Sequence, residues 1–511
     1  MARFEDKDSA EAGEPITVRR HTGVDQKPQD DDPWVLSPQR EAMGEAWKLP
    51  TALMGGTAAM RAAGSEFLPK EPAEKKENYE VRLRRSFLFN AFKDTVNKLA
   101  GKPFTRDVAL AQDTSDQIKA FEKDIDLRGR TLTQFAGDLL TDGWQYGLAH
   151  VFVEFPQNTP GRTLAEEQAA GLRPYLVKIS PPDILGWRSA VVNGVEVLTQ
   201  LRRRECSVEA AGPFGSRTVE RVRVYDLVQT EPTEPGEQAR MTVVWRLFER
   251  NDKNDPVQVG TGELTLDEIP LATLYVARTG FLTAEPPLED LAYLNLAHWQ
   301  SSSDQRNILR IARVGILFAA GVKEDFGTKT PIGATVLLTC EAEGAKLEWV
   351  EHSGAAIGAG RQDLLDLQEQ MTLLGLEPLM HRPGGTTATE ASIDTAKAHS
   401  KLRKSVRAEE QALERALQLM ARWLEIAEPK IGVDINEDFG LSIRDASDVD
   451  RLITMRKNGD LTRESLWAEL QRRNLLGESF DAAAEALSLS KERPAPVPPV
   501  PPQPGGGGPV T

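Results

Sequence analysis

Residues 386–424 read TTATEASIDTAKAHSKLRKSVRAEEQALERALQLMARWL, an unbroken helical pattern without proline or glycine. Ala391, Thr395, Ala398, Leu402, Val406, Leu413, Leu417, Met420 and Leu424 recur at helical spacing. The opposite face carries Lys397, Lys401, Lys404, Arg407 and Arg415, with Glu410 and Glu414 among them. The helix opens on Thr387-Ala388-Thr389-Glu390, a capping box in which threonine and glutamate each satisfy a backbone donor of the first turn. Before it lies a glycine loop, His381-Arg382-Pro383-Gly384-Gly385. At about 1.5 Å per residue the helix spans roughly 55 Å, far more than an average globular helix. Such a helix needs neighbours along its whole course, which predicts an elongated protein or a subunit of a ring.

The 511 residues suffice for about three domains, and the formal net charge of −15 with a pI near 5.2 argues against tight, sequence-reading nucleic-acid binding. An acidic surface past which DNA slides is compatible with that charge. Two cysteines, Cys206 and Cys340, give no disulfide framework and no clustered zinc site. The polar N-terminus lacks a secretory pattern, and no apolar run reaches the length of a membrane span. A soluble protein made in a reducing cytoplasm is the expectation.

Outward from the long helix, the chain divides by composition. Residues 1–40, with Asp30-Asp31-Asp32, read as a mobile acidic arm. Residues 41–67 hold a helix or two, broken near Gly55-Gly56. A single helix is predicted over 78–99, stopped by Gly101-Lys102-Pro103, and its Arg82, Arg84 and Arg85 read as a solvated or subunit-contact face rather than a phosphate site. Short helices follow at 118–125 and 132–146. Strands are predicted at 149–155, 173–179, 196–206, 218–227 and 241–248, making an α+β domain with a mostly antiparallel sheet. Pro286 and the acidic residues after it open a new helix, polar through Gln300-Ser301-Ser302-Ser303-Asp304-Gln305. Strand and turn character returns over 314–351, including 334–338, and a further helix covers about 361–374. After residue 424 come a strand at 432–436, a helical pair at 446–458 and 462–474, and a proline- and glycine-rich tail that forms no core.

The sequence carries no recognisable catalytic constellation. The histidines, His21, His150, His298, His352, His381 and His399, show no metal-binding spacing, and packing or surface roles suit them better. Gly354-Ala355-Ala356-Ile357-Gly358-Ala359-Gly360 superficially resembles a phosphate loop but fits neither the P-loop nor the dinucleotide pattern. No serine sits in a nucleophile elbow. No cofactor, metal or enzymatic activity is expected.

The order of these elements, together with Leu99-Ala100-Gly101-Lys102-Pro103-Phe104, Asp124-Ile125-Asp126, Arg173-Pro174-Tyr175, Glu285-Pro286-Pro287-Leu288, His298-Trp299-Gln300-Ser301-Ser302-Ser303-Asp304 and Thr387-Ala388-Thr389-Glu390, resembles the tailed-phage portal proteins. More specifically it resembles a portal-like family of phages and prophages catalogued as a domain of unknown function. No one of these motifs is chemically diagnostic; the ordered set, from about residue 79 to 476, is what is specific.

That resemblance implies an α+β portal-like subunit. Residues 41–284 would hold the N-terminal helices and an antiparallel-sheet wing, 285–313 and 353–375 the two stem helices, and 314–352 a small β clip between them. Residues 376–388 would form the tunnel loop, 389–428 the long tunnel helix, 429–490 a wing-return strand and small helical crown, and 491–511 a disordered tail. It further implies a self-assembled ring, commonly a dodecamer, at one capsid vertex of the virion, assembled in the host cytoplasm. Major capsid and scaffold proteins surround it, and double-stranded DNA passes through its channel without sequence specificity. The clip, with Phe318, Val322, Lys323, Leu337, Glu343 and Lys346, would meet the terminase large subunit and later the head–tail adaptor. ATP hydrolysis would belong to the terminase. In the tunnel loop, His381, Arg382, Gly384, Gly385, Thr386 and Thr387 would face DNA, the alternative being an ordinary surface loop. Lys397, Lys401, Arg403, Lys404 and Arg407 would face either the lumen or a neighbour's carboxylates, with inter-subunit pairs favoured. A helical scaffold or adaptor is the alternative function, though the irregular apolar face suits no sustained heptad seam; a hydrolase comes last.

Overall fold

The structure, a computed structural model, describes residues 31–155, 172–230, 240–312, 316–320, 346–350, 355–376, 388–427, 429–437, 439, 446–472, 475–476 and 480–491. The chain forms two units, residues 1–437 and 438–511.

In the first unit, α1 (Pro38–Met54) and α2 (Gly56–Ala63) part at Gly55, as the glycine pair predicts. Ser37 caps α1 by accepting the Arg40 N–H, and Pro38 occupies the first helical position. Residues 31–40, counted in the expected arm, are tied to the sheet. Asp32 pairs with Arg250 at 2.7 Å, Trp34 Nε1 donates to Glu220, and Arg40 donates to the carbonyls of Pro182 and Ile184.

The single helix expected over 78–99 is two, α3 (Lys76–Arg85) and α4 (Ala91–Gly101). Ser86 is extended, its carbonyl accepting both Nε and Nη2 of Arg61. Asn90 caps α4 through Lys93 N–H. Asn295, fully buried, holds the break by donating to Phe89 O and accepting from Phe92 N–H. Of the three arginines read as a solvated face, Arg84 and Arg85 are exposed. Arg82 is buried in an ion pair with Glu74 at 2.8 Å, a correction the helix break explains by turning that residue inward.

After β1 (Ala109–Leu110), α5 (Asp116–Lys119) is one turn where a helix over 118–125 is predicted. The helix predicted over 132–146 is α6 (Leu132–Tyr146), opened by a Thr131–Gln134 capping box. It closes on Gly147 at φ +90°, where a Cβ would lie 2.0 Å from Glu285 O.

Two antiparallel sheets follow. β2 (Leu148–Glu154) lies between β3 (Tyr175–Ile179) and β9 (Leu271–Tyr275). The other is a meander of β4 (Ile184–Val192), β5 (Val195–Ala211), β6 (Gly215–Thr230), β7 (Arg240–Arg250) and β8 (Pro256–Leu264). Phe152 and Ile179 of the first sheet pack with Leu201, Tyr225 and Val243 of the second in one core. The sequence misses β4, β8 and β9. In β8 the glycines lie under an indole: Gly262 pairs with Trp245, and a Cβ there would meet the ring at 2.7 Å.

The short strands β10 (Arg278–Gly280) and β11 (Thr283–Ala284) pair with each other and lead to α7 (Glu289–Ala312). β12 (Ile316–Ala320) and β13 (Lys346–Val350) pair antiparallel, Phe318 opposite Glu348. Helix α8 (Ala355–Leu376) begins six residues before the predicted 361, so most of the glycine-rich run is helix and cannot cradle a phosphate. The long helix α9 (Ala388–Trp423) is 36 residues, and β14 (Val433–Asp434) returns to pair with β1. The mixed, antiparallel α+β class is as the sequence predicts.

In the second unit, α10 (Ala446–Asn458) and α11 (Arg463–Arg472) join at Gly459, φ +87°, matching the predicted pair. A further helix, α12 (Ala482–Lys491), follows it.

Candidate functional site: the long helix and the hairpin before it

The C-terminal half of α9 docks against the three-stranded sheet through a stripe in which Leu402, Val406, Leu413, Leu417 and Met420 are fully buried. Polar contacts fix it on both flanks. Arg415 and Arg422 pair with Glu268, and Arg422 also with Asp267. On the other flank Arg407 chelates Glu437 at 2.6 and 3.0 Å, and Arg403 donates to the Glu437 carbonyl. Beyond the sheet, Trp423 stacks on Phe155 at 5.7 Å between centroids.

Two glutamates read as solvent-facing do structural work. Glu410 accepts Ile435 N–H at 2.9 Å and Glu414 accepts Val433 N–H at 3.1 Å, so they hold the returning strand to the helix. Burial is the largest influence on Glu410 and raises its pKa. Glu409, which the sequence reading passes over, is fully buried with both carboxylate oxygens unpartnered. Desolvation first, then the neighbouring Glu410, push its pKa well above the ordinary range. A gap in the apolar stripe between Val406 and Leu413 was the available signal, since some residue near 409 must face inward there.

Helices α7 and α8 pack antiparallel. Gln305 donates to Ile357 O, Ser301 to Asp363 at 2.6 Å, and Gln368 Nε2 lies 3.1 Å from His298 Nε2. Gly360 permits the contact, since a Cβ there would meet Gln305 Oε1 at 2.2 Å. The polar stretch of α7 is thus partly an internal seam. Ser302, Ser303 and Gln305 are buried, and Ser303 accepts from Ser86 Oγ.

The predicted site residues fall into three groups. His381, Arg382, Gly384, Gly385, Thr386 and Thr387 lie outside the described residues, as do Val322, Lys323, Leu337, Glu343, strand 334–338 and the Lys397 side chain. Phe318 lies in β12 and Lys346 is exposed at the start of β13. Lys401 and Lys404 are exposed on α9, whereas Arg403 and Arg407 are engaged within the chain by Glu437. Those two have an intrachain partner that the sequence does not predict, because the chain returning after β14 brings Glu437 to the helix.

Among the described residues no cluster of His, Cys, Asp or Glu could hold a metal ion, and no helix is long and apolar enough to cross a membrane. His150 packs in the sheet with Nδ1 3.0 Å from Thr273 Oγ1, its pKa lowered to about 3 by burial.

Residues 287–424 match the family described as "Domain of unknown function (DUF4055)". The segment runs from just before α7 to the end of α9, within the stretch that resembles the portal-like family. No curated protein matches the chain. Among solved structures, the neck of a native GTA particle computed with C12 symmetry is 13% identical and covers 82% of this chain and 99% of that one, with a TM-score of 0.40. The virion of a native gene transfer agent (GTA) particle is 12% identical, covering 86% and 99%, with a TM-score of 0.37. Likenesses this loose carry no functional argument; that rests on the chain's own residues and the family match.

Proposed function

We propose that this chain is a portal subunit that closes into a ring at a capsid vertex, lining a channel for DNA packaging and ejection. The observation that carries the reading is one continuous arrangement. An antiparallel helix pair, α7 and α8, with a strand pair between them, leads into a 36-residue helix docked by its C-terminal half on an antiparallel sheet. The family match covers the three helices and the strand pair of that arrangement, without the sheet. In this reading the sheets are the wing, α7 and α8 the stem, β12–β13 the base of the clip, residues 376–388 the tunnel loop, and α10–α11 the crown. The clip serves the terminase large subunit and then the head–tail adaptor, while capsid and scaffold proteins surround the ring.

The channel tolerates DNA without holding it, because an acidic chain disfavours static phosphate contacts. A free-standing coiled-coil scaffold is disfavoured by α9 itself, whose apolar stripe is already buried against its own sheet. Light scattering with negative-stain imaging of the purified full chain tests the proposal. A ring of about a dozen subunits with an open centre is expected. A compact monomer that stays unassembled with its phage's capsid proteins refutes it.

A further inference from the structure

Arg85 of α3 and Arg306 and Arg310 of α7 line one shallow cleft with Asn78, Ser303 and Asn307. Arg82, beside them, is neutralised by Glu74 at 2.8 Å and Asp304 at 3.5 Å. Among the described residues the other three guanidiniums have no carboxylate partner. Arg306 instead lies over Phe87, 3.9 Å from the ring centroid, and Phe87 is itself 42% exposed. Three cations without a carboxylate partner among the described residues thus sit beside an exposed aromatic.

The same helix pair carries the opposite patch. The positions of α7 that meet α8 are 298, 301 and 305, and those that line the cleft are 303, 306, 307 and 310. At about 100° per residue the two sets centre roughly 160° apart, so α8 and the arginines occupy nearly opposite flanks of α7. On α8 the residues turned inward include Gly360 and Met371, and Asp366 and Glu369 lie about 150° from that direction, both exposed. Neither has a cationic partner among the described residues; Asp366 accepts only from Gln362. Leu365 and Leu373, 46% and 40% exposed, accompany them.

We infer that these are the two halves of one subunit contact, in which the Asp366–Glu369 face of α8 on one copy docks into the Arg85–Arg306–Arg310 cleft of the next. A closed ring needs a contact between two different, complementary patches of the same chain, and these two differ in sign while each carries exposed apolar side chains. The inference rests on the ring reading above and names the contact that closes it. The antiparallel register sets the acidic run roughly 15 Å nearer the start of α7 than the arginines. With copies spaced about two helix diameters, or roughly 20 Å, the patches come level when the hairpins are inclined roughly 35° to the ring axis.

The test is a reciprocal charge swap in the full chain. Arg306→Glu/Arg310→Glu makes both patches acidic, and Asp366→Arg/Glu369→Arg makes both basic. All four positions are exposed, and circular dichroism with melting curves confirms that each variant keeps the parent fold. Light scattering at physiological salt should show each variant alone failing to form rings, with at least a tenfold rise in the concentration needed. The equimolar mixture should restore ring mass, because acidic and basic copies alternate. Rings from either variant alone, or a mixture that stays dissociated while both are folded, overturn this contact and leave the portal reading standing. A wild-type chain that forms no ring, alone or with its phage's capsid proteins, overturns both.

Discussion

Replacing Glu409 by methionine should stabilise the protein, against the usual direction of core substitutions. The side chain sits at 0% exposure on the stripe that docks α9, with neither carboxylate oxygen hydrogen-bonded. A buried polar group left unpaired costs about 1–3 kcal/mol, and methionine follows the same unbranched path without the oxygens. Proton linkage adds to this. Burial raises the Glu409 pKa in the folded chain above the unfolded value of about 4.3. The folded state therefore keeps a proton that the unfolded state releases. Its contribution is fully present below the unfolded pKa and is lost as pH climbs toward the folded one, at about 1.4 kcal/mol per pH unit in that interval.

At pH 7 the methionine variant should thus gain about 2–4 kcal/mol, or roughly 2–4 °C in melting temperature for a chain of this size. The assay is scanning calorimetry from pH 5 to 8.5 on wild type, Glu409→Met and Glu409→Gln. Glutamine keeps an unpaired polar group but cannot ionise, so its curve should be flatter with pH than the wild type's while its gain stays smaller. A methionine variant that melts at or below wild type at pH 7, or pH slopes that are parallel in wild type and glutamine variant, would refute the reasoning.

Asn295→Leu should lower stability by about 2–4 kcal/mol, because Phe92 N–H and Phe89 O lose their shared partner inside the structure; thermal melts read it directly. Arg203→Met should cost about 3–5 kcal/mol in urea unfolding, since this buried guanidinium pairs with Glu154 and Glu205, and its loss leaves Glu154 without a cation while Arg223 still holds Glu205. Deleting residues 384–387 should leave ring assembly intact while impairing DNA packaging or retention in a phage complementation assay; loss of assembly would make that loop a structural element instead.

Local pattern made much of this fold readable. The helices at 132–146 and 446–458 carry their own caps or stops, and the long helix declares itself through an uninterrupted period. The failures share a cause, which is that distant residues decide them. The helical periodicity of 78–99 is real, yet Arg61 and Asn295 bind the backbone between Arg85 and Ala91 and break it. The glycines of β8 were unreadable as strand without Trp245 across the ladder. At the candidate site, the sequence assigned Glu410 and Glu414 to solvent because nothing local shows that β14 returns with its N–H groups toward them. The same return turns Arg407 from a free cation into the partner of Glu437.

The distribution of paired and unpaired arginines gives the acidic chain its organisation. In the five-stranded meander the cross-strand neighbours cancel. Arg221 meets Glu209 and Glu249, Arg223 meets Glu205, and Arg246 meets Asp226. On α9, Arg407, Arg415 and Arg422 are likewise matched within the chain. The arginines named in these elements are thus satisfied within the chain. At the α3–α7 cleft the pattern breaks, and the carboxylates that would balance it sit on the far flank of the same helix pair, turned away. Ion pairs exposed to water contribute little to a fold, so folding alone supplies no reason to separate these charges. A cyclic assembly does, because separation of complementary charge across one subunit orients each copy toward the next and penalises the reversed, like-to-like encounter.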